Sequence, residues 1–336
     1  MTVIKTIDPH NDGQLRAWFE AMYSAAVAER SRPLVWEYGE QASSLRSPNE
    51  HAQRLVYGAY IDETVVATLL LELPLSENRD TCEWMLCVPP QYRRRGYATK
   101  LYEYGMEIAA QHGRTTHQAE VDVYGGKELS DCPGSAFALN LGFKSEHQED
   151  RLMLQLPVPD HTLSELDAYA AQKHGDYSFI SWQNACPDEH LAAYVEMRNT
   201  MEHDVPIGTL DHEPTEWTAE RIRTSESRLA DQGYTTISTA ARHHDGEFAG
   251  YSKLFVRAHK PSDAIQDDTL VMTHHRGHRL GTALKTRNLR ALMTSFPKAE
   301  AVHTWTAGTN DAMQKINTDF GFQSVEVMHE FQRVDA

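Results

Sequence analysis

Apolar and polar positions along this chain form a succession of short blocks that occurs twice. The run Glu83-Trp84-Met85-Leu86-Cys87-Val88 ends at Pro89-Pro90 and reads as a strand closed by a breaker. Apolar residues then recur at Ala98, Leu101, Tyr102, Gly105, Ile108 and Ala109, a helical stripe that stops at Gly113. A strand over 119–124, a Gly125-Gly126 turn, a short helix over 135–141, Gly142-Phe143 and a strand carrying Leu152, Leu154 and Leu156 follow. The order then returns. Leu270-Val271-Met272 predicts the strand, and Leu280, Ala283, Leu284, Ala291 and Leu292 outline the helix. Residues 302–306 predict the next strand, 311–319 the second helix, Gly321-Phe322 its stop and 325–331 a last strand. Val88, Arg93, Ala98 and Leu101 align with Val271, Arg276, Gly281 and Leu284 at one offset of 183 residues, and the Gly-Phe pairs at 179.

Upstream, each block follows a helical segment rich in Ala and Glu, over 14–30 and 189–201, and a hairpin-like strand pair. The second hairpin turns at Asp245-Gly246, between strands over 235–241 and 248–256. The expected organisation is an N-terminal domain over 1–158, a linker over 159–176 and a C-terminal domain over 177–336. Pro157-Val158-Pro159 opens that linker, which continues as a polar, Ser-capped helical stretch from near Ser164. The fold class is α/β, with a mixed sheet flanked by helices.

Composition narrows the function. The 336 residues suffice for two cores, and 40% apolar with 24% charged content is ordinary for a globular protein. No apolar run reaches bilayer length, and residues 1–8 read as a first strand rather than a secretory leader, so a cytoplasmic location without a membrane partner is expected. Cys82 and Cys87 lie five apart on one strand and should face opposite ways. Cys132 and Cys186 have no near partner, and all four read as free thiols. A net charge of −16 argues against a nucleic-acid surface and is compatible with a cationic amine substrate.

The candidate chemistry lies between strand and helix. The first copy of the loop is Arg93-Arg94-Arg95-Gly96-Tyr97-Ala98 and the second Arg276-Gly277-His278-Arg279-Leu280-Gly281. A helix start exposes N–H groups that lack intrahelical partners, and its dipole favours an anion. Small residues at the turn let phosphate oxygens come close. Gly96 and Ala98 meet that need in the first copy. In the second, Gly281 meets it, while Arg279 takes the central glycine place and can bind through its N–H if its φ is negative; Gly277 supplies flexibility earlier in the loop.

Both loops, with their flanks Asn78…Val88-Pro89-Pro90-Gln91-Tyr92 and Thr269-Leu270-Val271…His275, resemble the pyrophosphate-binding loop of the GCN5-related N-acetyltransferases (GNAT). The layout resembles tandem members of that superfamily, mycothiol synthase among them. The resemblance implies acetyl-CoA as donor, a splayed pair of central strands gripping its pantetheine arm, and direct transfer to a small-molecule amine in a ternary complex. It assigns coenzyme A to Val88, Arg93, Arg94, Arg95, Gly96, Tyr97, Ala98 and Thr99 in the first domain. In the second it assigns Val271, Thr273, Arg276, Gly277, His278, Arg279, Leu280, Gly281, Thr282, Asn310 and Asn317.

Family members often carry Asn-x6-Tyr before the Gly-Phe stop, the Asn contacting cofactor and the Tyr protonating the departing thiolate. Asn310 and Asn317 occupy those places in the second domain, Asp131 and Ala138 in the first, so the tyrosine acid is missing from both. The family often places a Glu five residues before the strand-end Val. Glu83 stands there in the first domain and Gln266 in the second, where Asp267 and Asp268 follow. Glu83 and Asp268 are the candidate bases, because an alkyl ammonium must lose a proton before it attacks. The segment His203–Gly208 reads either as an ordinary helix-helix connection or, by the resemblance, as a lid over the acceptor, and Tyr251 and Trp305 as core packing or as lining of the acceptor pocket. His274, His275 and His278 sit in a loop that must approach phosphate, so no metal is expected; His243-His244 reads as a polar hairpin end. The second domain is the preferred catalytic unit because it keeps Asn310. The competing readings are a non-catalytic coenzyme A-binding protein, a pair with one degenerate supporting domain, and aminoacyl transfer from tRNA, against which the acidic balance speaks.

Overall fold

The computed structural model describes residues 2–335 and divides into two compact units. In chain order the first stretch contains β1 (Val3–Thr6), α1 (Asp12–Ala26), α2 (Tyr38–Arg46), β2 (Ala52–Ile61), β3 (Thr64–Pro74) and β4 (Thr81–Cys87). After it come α3 (Tyr97–Gln111), β5 (Thr116–Tyr124), α4 (Pro133–Asn140) and β6 (Lys144–Gln155). The second stretch contains α5 (Asp160–Ala171), β7 (Tyr177–Gln183), α6 (Asp188–Asp204), α7 (Ala219–Asp231), β8 (Tyr234–His243), β9 (Phe248–Arg257) and β10 (Asp263–Val271). It ends with α8 (Leu280–Ser295), β11 (Ala301–Ala307), α9 (Asp311–Phe320) and β12 (Gln323–Val334).

In the first unit β1 to β4 pair antiparallel in sequence order, β5 joins β4 in parallel, and β12 closes the far side antiparallel to β5. In the second, β7 to β10 pair antiparallel in order, β11 joins β10 in parallel, and β6 pairs antiparallel with β11. Each unit thus takes its last strand from the other half of the chain. Among the described residues the units are 2–148, 207–213 and 326–335, and 149–206 and 214–325. This grouping differs from a simple split at 158 and 177. Alternation marks β6 and β12 as strands, but it does not say which neighbour each one pairs with.

Helices cover both faces of each sheet. On β4, Cys82 and Trp84 enter the core with Leu101, Tyr102 and Ala109 of α3, whereas Met85 and Cys87 pack towards Leu15, Trp18 and Met22 of α1. The two thiols therefore face opposite sides, and all four cysteines are free. In the second unit α5, α8 and α9 bury Leu163, Leu166, Leu289, Leu292 and Phe320 on one face, while α6 and α7 bury Tyr194, Met197 and Ile222 on the other. The stretch expected to be a linker thus includes a core helix. That helix begins at Asp160 behind Pro159, with no side-chain cap, rather than near Ser164. The Gly-Phe stops behave alike: the N–H of Phe143 donates to Ala138 O and that of Phe322 to Asn317 O, at 3.1 and 3.0 Å, closing α4 and α9.

Candidate active site

The parallel pair at the centre of each unit separates soon after it begins. β4 and β5 pair only from Thr81, Cys82 and Glu83 to Thr116, His117 and Gln118. β10 and β11 pair only from Asp263, Ala264 and Ile265 to Ala301, Val302 and His303. Past those residues each pair opens into a wedge, the splay that the family resemblance implies.

Both loops leave the wedge in the same way. Arg93 Nε donates to Val88 O and Arg276 Nε to Val271 O, each at 3.2 Å, so the first arginine ties its loop to the strand end. Arg93 also meets Glu29 at 3.1 Å, and Arg276 meets Asp204 at 2.6 Å. These two arginines brace the turn, a role the sequence did not reveal. Each turn contains two residues with left-handed backbone: Arg94 (φ 62°) and Gly96 (φ 80°) in the first, Gly277 (φ 84°) and Arg279 (φ 59°) in the second. The negative φ on which binding through the Arg279 N–H was made conditional is not found. The residue before the helix must be left-handed in both copies, and glycine sits at opposite places. A non-glycine residue there costs about 1–2 kcal/mol.

The two helix starts differ in access. Arg94, Arg95, Gly96 and Thr99 are exposed and Ala98 is half-buried, leaving the opening N–H groups of α3 at Tyr97, Ala98 and Thr99 beside open surface. In the second unit Leu280, Gly281 and Thr282 are all buried. A Cβ on Gly281 would lie 3.0 Å from Ile316 Cδ1 of α9. Arg279 stacks on Tyr169 with 3.6 Å to the ring centroid and donates to Tyr169 O at 2.6 Å and Gln172 Oε1 at 3.1 Å. His278 Nδ1 is 3.1 Å from Lys173 O. The carbonyl end of α5, the negative pole of that helix, thus lies against the second turn. Thr273 is exposed ahead of it.

The two candidate bases diverge as well. Glu83 shares the α1 face of its sheet and stands in register with Glu72 of β3 and Gln118 of β5. Its side chain reaches solvent, yet the surrounding wall is dense. Burial, then the carboxylates of Glu72 and Glu120, push its pKa up to about 7, with Arg54 opposing and Glu330 adding to the rise. Arg54 is committed to Glu72 at 2.6 Å. In the second unit Gln266 is buried, and its amide donates to Lys253 O at 2.8 Å and Ser252 Oγ at 3.1 Å, filling a break in the β9–β10 register. Asp268 accepts from Tyr251 OH at 2.7 Å and pairs with Arg198 at 3.1 Å. Asp267 is pushed up to about 6 by burial and then by Asp268. Tyr251 is fully buried among these groups, and Trp305 is half-buried.

Asn310 Oδ1 caps α9 by accepting from Met313 N at 3.2 Å. Asn317 is fully buried; it accepts from Lys285 Nζ at 2.5 Å and donates to Thr306 Oγ1 at 2.9 Å. Burial alone brings the Lys285 amine down to about 7. Sequence reasoning missed this lysine because it falls inside an ordinary helical stripe.

The segment expected as a lid is displaced. His203 and Asp204 end α6, and the strap that follows, residues 207–213, groups with the first unit. There Gln118 donates to Asp211 O at 3.1 Å, Asp211 N donates to Gln332 Oε1 at 2.9 Å, and Asn78 exchanges bonds with Glu213. Gln118 is the register partner of Glu83, so the strap covers sheet beside that carboxylate.

Paired splays and paired turns define a class of fold, and comparison gives it a name. Residues 14–125 match the acetyltransferase (GNAT) family. A tandem GNAT protein from the clavulanic acid biosynthesis pathway superposes with a TM-score of 0.81 at 24% identity, covering 99% of this chain and 98% of that one. A GCN5-related N-acetyltransferase from Sphaerobacter thermophilus gives 0.66 at 12% identity over 99% and 95%. The Saccharomyces cerevisiae N-myristoyltransferase with bound myristoyl-CoA gives 0.59 at 13% over 99% and 79%. No curated protein sequence matches. Residues 14–125 thus match the GNAT family, and the chain as a whole has the fold of a tandem GNAT protein. Among the described residues no helix is long and apolar enough to cross a membrane.

Proposed function

We propose that the protein is an N-acetyltransferase that uses acetyl-CoA to acetylate a small-molecule amine, with the first unit as the catalytic one. This reverses the preference drawn from Asn310. The observation that carries it is Glu83, a solvent-reaching carboxylate with a pKa near 7 beside the first wedge, in the unit whose turn is open.

The residues present suit coenzyme A in the first unit. A Cβ built on Gly96 meets nothing within 4 Å, so the turn offers clear space to a diphosphate. The N–H groups of Tyr97, Ala98 and Thr99 and the side chains of Arg94 and Arg95 would hold it. Bound acetyl-CoA supplies an acyl carbonyl already activated as a thioester. The chain's own task is the acceptor. Glu83, about half ionised at neutral pH, takes the ammonium proton and frees the nitrogen lone pair. The neighbouring carboxylates that raise its pKa also attract the cationic amine. Ala138 occupies the place of the family tyrosine and offers no proton, so the departing thiolate takes its proton from water.

Turnover of acetyl-CoA with a panel of amines tests this reading. Glu83→Gln should lower kcat/KM by about 100-fold or more, whereas Asp268→Asn should leave it within a few-fold. Coenzyme A binding without turnover of any amine would instead leave a binding protein.

A further inference from the structure

Spacing along the chain argued against a metal among His274, His275 and His278, but folding brings a third group to two of them. Within the second unit, Glu247 from the turn joining β8 to β9 meets the short helical turn Thr273–His275 that follows β10. Glu247 Oε1 lies 2.6 Å from His274 Nε2, and Oε2 lies 3.5 Å from His275 Nε2. One ligand atom from each of the three residues falls within 4.8 Å of the others.

His275 supplies the independent observation. It is only 6% exposed, and its Nε2 makes no hydrogen bond. Its other nitrogen, Nδ1, is 2.9 Å from the Tyr177 hydroxyl, and the ring sits between Tyr177 and His243 at centroid distances of 5.6 and 5.5 Å. The ring is therefore held with Nε2 facing the carboxylate. Leaving a buried polar atom without a hydrogen bond costs about 1–3 kcal/mol. An ion coordinated at Nε2 removes that cost.

We propose that Glu247, His274 and His275 bind a divalent transition-metal ion, with Zn²⁺ the best match to two imidazoles and a carboxylate. Bonds of about 2.0–2.1 Å to a tetrahedral ion set its donors roughly 3.3 Å apart. The 3.5 Å gap at His275 already fits. The 2.6 Å gap opens by rotating two side chains that are 60% and 48% exposed, His274 and Glu247. Tyr177 is the outer partner that fixes the buried ring. Exposure on the His274 side leaves a coordination position to water. Two nitrogen ligands disfavour Mg²⁺ and Ca²⁺, which take oxygen. The ion clips the β8–β9 turn to the segment that leads into the second diphosphate-type turn.

The test is titration of Zn²⁺ into metal-stripped, tag-free full-length protein by calorimetry, with Mg²⁺ as control. One equivalent of Zn²⁺ should bind, raise Tm, and lose affinity by about 10- to 100-fold in both His274→Ala and Glu247→Gln. Both changes are at exposed side chains, and far-ultraviolet circular dichroism checks that each variant is folded. No saturable Zn²⁺ binding, or binding that both folded variants leave unchanged, would overturn the proposal.

Discussion

A half-protonated carboxylate suits the role proposed for Glu83, a base near neutral pH, and the same shift works against folding. Its folded pKa of about 7 lies above the unfolded reference of about 4.3. Between those values the folded chain holds a proton that the unfolded chain has released, so stability falls as pH rises through that window. Glu83→Gln should therefore raise Tm at pH 8 and have little effect near pH 4.5, measured by calorimetry across pH. Wild-type kcat/KM should rise through an apparent pKa near 7 as the base ionises; a profile flat from pH 6 to 8 would remove Glu83 from the proton transfer. The position was legible in the sequence, five residues before Val88, but its tuning was not. Glu72, Glu120 and Glu330 come from three other strands, and no local pattern records their approach.

Among elements, the two strand-turn-helix passages share a backbone and differ in what lies against it. Their strands, helices and Gly-Phe stops could be read from periodicity, because those signals are local. The left-handed Arg279 could not, since a sequence shows where glycine is rather than where the turn requires a positive φ. Nor could the covering of the second turn by the carbonyl end of α5, which depends on how that helix packs. The expected consequence is one coenzyme A per chain in a calorimetric titration. Ala98→Asp puts a negative charge at the mouth of α3 and should weaken binding at least tenfold, whereas Arg279→Ala should leave it unchanged. Two equivalents in the wild type would show that the second turn opens in solution.

For the whole molecule, the traded strands matter most. β12 contributes Phe331, which is fully buried in the first core, and Glu326, which meets Arg30 at 2.5 Å. Arg30 also pairs with Asp122 at 3.0 Å, yet its side chain is 8% exposed, and losing one partner of a buried pair costs about 3–5 kcal/mol. A protein ended at Phe322 should therefore aggregate or lose the melting transition of its first unit, as size exclusion and scanning calorimetry would report. A fragment of residues 1–158 should fare no better, since it leaves the β5 edge bare.

Translation order gives that arrangement a temporal meaning. The ribosome delivers β5, ending at Tyr124, long before β12, which begins at Gln323 and seals the same sheet. The first core therefore waits, one border open, until β12 has been made and released from the exit tunnel, and a nascent chain stalled before that point carries an adhesive edge that a chaperone would have to shield.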